Sequence, residues 1–197
     1  MSDYFEVFGL PRKLGVDADE LRRRFYELSR RHHPDFHQLA GESEQAASLT
    51  QSALINRAYR ALRDPLARVE YLIALEEGRD GREGATAKPR APMHLLEEML
   101  EVQESLEDAR ASGLDASARA RLGAERQRLL DRRRETEQAI ETRCADWDAA
   151  VEQGGDRAGL LPWFKEALAA RAYLTTVIDD LSEALGDGET HVAHRGH

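Results

Sequence analysis

The sequence predicts an all-α protein built from two helical blocks. Apolar residues recur at three- and four-residue spacing through most of the chain, and no stretch alternates apolar with polar as a half-buried strand does. Glycine and proline cluster between these periodic stretches rather than inside them. Aromatic residues are 6% of the 197 residues and charged residues 33%, which suits helices with solvated faces better than a sandwich or barrel. The hydrophobic share, 41%, is sufficient for a core and excludes wholesale disorder. The length accommodates one mid-sized domain or two small ones.

Taken in order, Tyr4, Phe5, Val7 and Phe8 predict a small first helix, stopped by Gly9 and Pro11. Asp17 is an N-cap residue with Glu20 three positions on, the pattern of a capping box. Behind it Leu21, Phe25 and Leu28 share one helical face, and Pro34 ends the helix by forcing its predecessor away from helical angles. A second long helix is expected over 43–63, with Leu49, Ile55, Tyr59 and Leu62 inward. Asp64-Pro65 then reads as a cap and first-turn proline for a short helix through Leu66, Val69, Leu72 and Ile73. The stretch 78–92, with three Gly and two Pro, reads as a linker.

The second block holds three longer stretches. Leu95, Met99, Val102, Leu106 and Ala109 mark the first, stopped at Ser112-Gly113. The next covers about 116–153, with Leu122, Leu129, Ile140, Cys144, Trp147 and Val151 inward, and Gly123 inside it predicts a local irregularity. The last runs over about 161–185 through Phe164, Leu168, Leu174, Ile178 and Leu181. Three helices with short connections imply an antiparallel bundle. The expected organisation is therefore a first domain at 1–76, a linker at 77–92, a bundle at 93–185 and a disordered tail at 186–197.

The net charge of −9 disfavours general nucleic-acid binding, which needs a basic footprint. Charge is nevertheless placed unevenly. Residues 21–33 carry five arginines (Arg22, Arg23, Arg24, Arg30 and Arg31) against the single Glu27, whereas 97–108 carry six acids and no base. The lone Cys144 excludes an internal disulfide and a multi-cysteine zinc site, and its apolar helix face beside Trp147 predicts an inert thiol. No apolar run approaches a membrane span and the start carries no secretion signal, so a soluble cytoplasmic monomer is expected.

The sharpest local feature follows the arginine-rich helix: His33-Pro34-Asp35, a tripeptide at a helix end where proline fixes the backbone and turns its neighbours outward. With Asp3-Tyr4-Phe5, Phe8-Gly9-Leu10-Pro11 and Ile55-Asn56-x-Ala58-Tyr59-x-x-Leu62-Arg63-Asp64-Pro65-Leu66, extended by Arg68 and Tyr71-Leu72, it makes residues 1–76 resemble a J-domain. Over its whole length the chain resembles the HscB family of iron–sulfur co-chaperones. That resemblance implies a J-domain, an antiparallel helical hairpin flanked by short helices, followed by a three-helix antiparallel bundle. It also implies a DnaK/HscA-type ATPase chaperone as partner, met by His33, Pro34, Asp35, Arg22, Arg23, Arg24, Arg30 and Arg31. The arginine face would dock on an acidic surface, and Asp35 would accept a charge-assisted bond from a chaperone arginine. His32 stands where J-domains often have Tyr.

On the first bundle helix, Leu96 and Leu100 lie four apart beside Glu97, Glu101, Glu104 and Asp108, off the inward stripe. An apolar pair rimmed by carboxylates suggests a partner site. The resemblance implies that these residues, with Tyr173 on the last helix, hold the iron–sulfur cluster scaffold protein, although Glu97 replaces a commonly apolar residue. No cofactor, no metal site and no catalytic site of its own are expected. The rivals are a general J-protein with another client, a metal-dependent hydrolase built on His32, His33, Asp35 and His37, and a helical spacer. Pro34 breaks the register that would align those histidines on a metal, and the His191, His194 and His197 tail offers at most adventitious binding.

Overall fold

Aspartate side chains cap the starts of several helices. In the computed structural model, which describes residues 3–33, 41–78, 93–155, 157 and 159–186, every regular element among the described residues is a helix. Buried Asp3 caps α1 (Tyr4–Val7) by accepting the Phe5 N–H at 2.9 Å, and its other oxygen accepts Arg12 Nε at 2.6 Å. Gly9, at φ 60°, turns the chain out of that helix. Asp17 caps α2 (Ala18–Arg31) by accepting the N–H groups of Asp19 and Glu20 at 2.9 and 3.0 Å. The reciprocal half of the expected capping box is missing, because Glu20 pairs with Arg24 at 2.5 Å.

α3 (Glu42–Arg63) buries Ser48, Ile55 and Leu62, spaced by seven, together with Ala58. Leu49, expected inward, is 57% exposed: it sits one residue, about 100°, around the helix from the buried row. Asp64 then caps α4 (Pro65–Glu76), accepting the Ala67 N–H at 2.8 Å, with Pro65 in the first turn. Half of α4 is buried, through Arg68, Val69, Tyr71, Leu72, Ile73 and Ala74. α3 packs against α1, α2 and α4. Tyr4 stacks on Tyr71 with centroids 4.4 Å apart, and Phe25 stacks on Tyr59 at 4.1 Å, tying α1 to α4 and α2 to α3.

The second block comprises α5 (Met93–Ser112), α6 (Ala116–Gln153) and α7 (Leu160–Leu185). One core joins Val102, Leu106 and Ala109 of α5, Ala118, Leu122 and Leu129 of α6, and Leu174, Val177, Ile178, Leu181 and Leu185 of α7. Arg119, near the start of α6, donates to the carbonyl of Leu185 at the end of α7 at 2.7 Å, and Arg171 Nε meets Glu137 at 2.7 Å. These two pairings run the helices antiparallel. Each fully buried Leu or Phe contributes about 1.5–3 kcal/mol, so this core is the main reason the helices hold.

The chain divides into two units: Met1–Thr86 with Glu141–Leu161, and Ala87–Ile140 with Pro162–His197. The last turns of α6 thus belong with the first unit, a division that no shift in composition marks.

The irregularity expected at Gly123 is absent: α6 runs through it unbroken, and a Cβ there would meet nothing within 4 Å. Gly123→Ala is therefore expected to stabilise the protein by about 1 kcal/mol. In a chain of this size that is a rise of roughly 2–4 °C in Tm, measurable by calorimetry.

Candidate functional site

The amphipathic stripe of α2 turns Leu21 into the core, leaving Phe25 and Leu28 half-buried, and the arginines occupy the rest of the circumference. Arg22, Arg23, Arg30 and Arg31 are exposed, with Arg22 only loosely paired to Asp19 at 3.6 Å. Arg24 has another task. Its guanidinium donates to the carbonyl oxygens of Phe8 and Gly9, the latter at 2.8 Å, while holding Glu20. Arg24, expected among the docking cations, braces the turn after α1, and the basic face consists of the other four. Arg30 and Arg31 also lie in the last turn, where cations complement the helix dipole.

Asp17, at the other end of α2, is held below the usual carboxylate range by backbone N–H donors, Glu20's first and Asp19's second. Its contribution is in place above the ordinary carboxylate pKa and is lost as pH falls through the lowered value.

The same face presents Tyr26, 64% exposed. This residue escaped the sequence reading, although its place one position after Phe25, off the inward stripe, is the available signal. Ser48 also escaped it. Buried in the row with Ile55 and Leu62, its hydroxyl donates to the carbonyl of His32 at 2.9 Å. His32 is the C-cap of α2, so this bond pins the end of the basic helix to α3 just before the tripeptide. His33 follows, exposed. Pro34 and Asp35 lie outside the described residues, as does His37; among the described residues no three His, Cys, Asp or Glu side chains gather as a metal site.

On α5, Leu95, Val102, Leu106 and Ala109 are buried, whereas Leu100 is 60% exposed, and Glu101, Glu104 and Asp108 on the same helix are exposed as well. The side chains of Leu96 and Glu97, on the same helix, lie outside the described residues, and so does that of Met99. Tyr173 of α7 is half-buried against the core. Glu101 and Asp108 also line one wall of a groove of about 220 Å³ between α5 and α6, opposite Arg121 and Arg128, with Val102 and Leu122 between them. Cys144 is half-buried and burial pushes its thiol up to about 11, which keeps it protonated and unreactive.

Residues 3–71 match the family model of the DnaJ domain, and residues 91–153 match that of the HSCB C-terminal oligomerisation domain. Together they leave one assignment. The chain belongs to the HscB family of co-chaperones.

Two solved structures agree in fold. Chaperone HscB from Vibrio cholerae is 25% identical with a TM-score of 0.61, over 95% of this chain and 99% of its own. Human co-chaperone protein HscB is 23% identical with a TM-score of 0.58, over 93% of this chain and 82% of its own. HscB membership brings the J-domain and, with it, an Hsp70-type chaperone as the implied partner. Among the described residues no helix is long and apolar enough to cross a membrane.

Proposed function

We propose that this HscB-family chain is a cytoplasmic co-chaperone, acting as a monomer and without catalysis of its own. It stimulates the ATPase of a DnaK/HscA-type chaperone and delivers the iron–sulfur cluster scaffold protein to it, promoting cluster transfer. The observation that carries the reading is the basic face of α2, with Arg22, Arg23, Arg30 and Arg31 exposed, running straight into the tripeptide that begins at exposed His33.

In this reading the four guanidiniums, with Tyr26 among them, meet an acidic surface of the ATPase domain, speeding encounter and fixing register. Asp35 then accepts a charge-assisted hydrogen bond from a chaperone arginine, and His33 and Pro34 hold the corner. The J-domain binds the hydrolysis-competent arrangement in preference to the resting one, and that differential affinity is what raises the rate. In the same reading Leu96, Leu100, Glu97, Glu101, Glu104 and Asp108 of α5, with Tyr173 of α7, take the scaffold.

Steady-state ATP hydrolysis by a DnaK-type chaperone, titrated with this protein at 50 and 300 mM salt, tests the docking. Stimulation is expected at both, with the half-saturating concentration rising several-fold at high salt as surface charges are screened. No stimulation at either salt contradicts the function, and a salt-independent titration contradicts the role of the arginine face.

A further inference from the structure

We propose that the last turns of α6 are working parts of the J-domain, and that Asp148 is a positioning residue that fixes where the basic helix α2 begins. The inference rests on the proposed ATPase-stimulating function and extends it to residues outside 1–76.

The observation is a clasp within the first unit. One Asp148 oxygen accepts the backbone N–H of Leu14 and the other accepts that of Gly15, each at 2.6 Å. The Leu14 carbonyl accepts a hydrogen bond from buried Arg68, whose Nε also donates to the Leu62 carbonyl at 2.8 Å. Both backbone polar groups of Leu14 are thus held by charged side chains, while its own side chain is buried. Alongside, Lys13 pairs with Glu152 at 2.5 Å and Arg157 with Glu76 at 3.4 Å, the Arg157 guanidinium lying over Trp147 at 5.3 Å from the ring centroid. Gly15 leaves room for this carboxylate: a Cβ on it would stand 2.7 Å from Asp148 Oδ2, so a side chain there displaces the carboxylate.

This clasp sits two residues before Asp17, the cap of α2, and Arg24 fixes the other end of the same loop at Phe8 and Gly9. A loop anchored at both ends leaves α2 one starting point and hence its arginines one presentation. Two N–H groups converging on one carboxylate are charge-assisted bonds, stronger than neutral ones. Releasing them frees the start of α2 without touching His33, Pro34 or Asp35. Docking therefore weakens while the trigger itself is kept.

The test is ATPase stimulation of the DnaK-type chaperone by full-length variants, titrated to saturation. Asp148→Ala is expected to raise the half-saturating concentration roughly tenfold, the equivalent of about one charge-assisted hydrogen bond, with maximal stimulation within twofold of wild type. Gly15→Ala is expected to do the same by pushing the carboxylate away. The double variant Gly15→Ala/Asp148→Ala should match Asp148→Ala alone, because the added methyl then has no carboxylate to displace. Asp148→Asn, which keeps the shape and one acceptor, should fall between. An unchanged half-saturating concentration, additive single effects, or a loss of maximal stimulation instead would overturn the proposal. If Asp148→Ala fails to fold by circular dichroism, Asp148→Asn and Gly15→Ala decide the same question. Asp35→Ala run in parallel separates the layers. Full stimulation by Asp35→Ala overturns the underlying function, whereas an inert Asp35→Ala beside a wild-type Asp148→Ala overturns this inference alone.

Discussion

Replacing Asp35 with alanine is expected to abolish stimulation of the chaperone's ATPase while leaving the helical content and scaffold binding of the protein unchanged. The bond assigned to Asp35 joins a carboxylate to a guanidinium. Hydrogen bonds to charged groups are worth about 1.5–3 kcal/mol, and removing one partner leaves the other desolvated. A loss of that size, concentrated on the hydrolysis-competent arrangement, lowers the stimulated rate by roughly ten- to a hundredfold. The hairpin has ties of its own: α2 and α3 are held by the Phe25–Tyr59 stack and by Ser48 on the His32 carbonyl. Single-turnover hydrolysis with wild type and Asp35→Ala, checked by circular dichroism, measures it. Near-normal stimulation by a folded Asp35→Ala would remove the tripeptide from the mechanism.

The second large effect concerns cargo. Leu100 is 60% exposed on α5 in the free protein, so truncating it costs the fold little. Burying such a side chain against a partner is worth about 1.5–3 kcal/mol, which is ten- to more than a hundredfold in Kd per leucine. Leu96→Ala/Leu100→Ala is expected to weaken binding of the scaffold by at least a hundredfold in calorimetric titration, with ATPase stimulation by the J-domain alone unaffected. Unchanged affinity would place the scaffold elsewhere. A parallel fall in stimulation would mean that the two activities are not separate.

Most of the fold was legible because its punctuation is chemical. Asp17, Asp64 and Pro65 mark helix starts, Gly113 and Gly154 mark ends at positive φ, and the apolar periodicity fills the intervals. Leu49 misled because periodicity names a face only to within one residue, and Ser48, polar by composition, holds the buried position. Arg24 could not be told from its neighbours by type. What distinguishes it is the reach of its side chain to the Phe8 and Gly9 carbonyls, a tertiary fact. Asp148 was invisible for the same reason. Its partners are backbone N–H groups more than 130 positions away, and backbone groups leave no trace in a sequence. Gly15 carries only half a signal: a glycine invites a question about conformation, yet here it answers one about space.

In the proposed function one protein joins a chaperone trigger to a cargo face. The most direct test of that function is the chaperone's ATPase rate with this protein alone, with the scaffold alone, and with both together. The pair is expected to raise hydrolysis well beyond the sum of the separate increments, and Leu96→Ala/Leu100→Ala to return the response to that sum. Additive rates with the wild-type protein would contradict delivery of the scaffold, and no response to the protein in any combination would contradict the co-chaperone function itself.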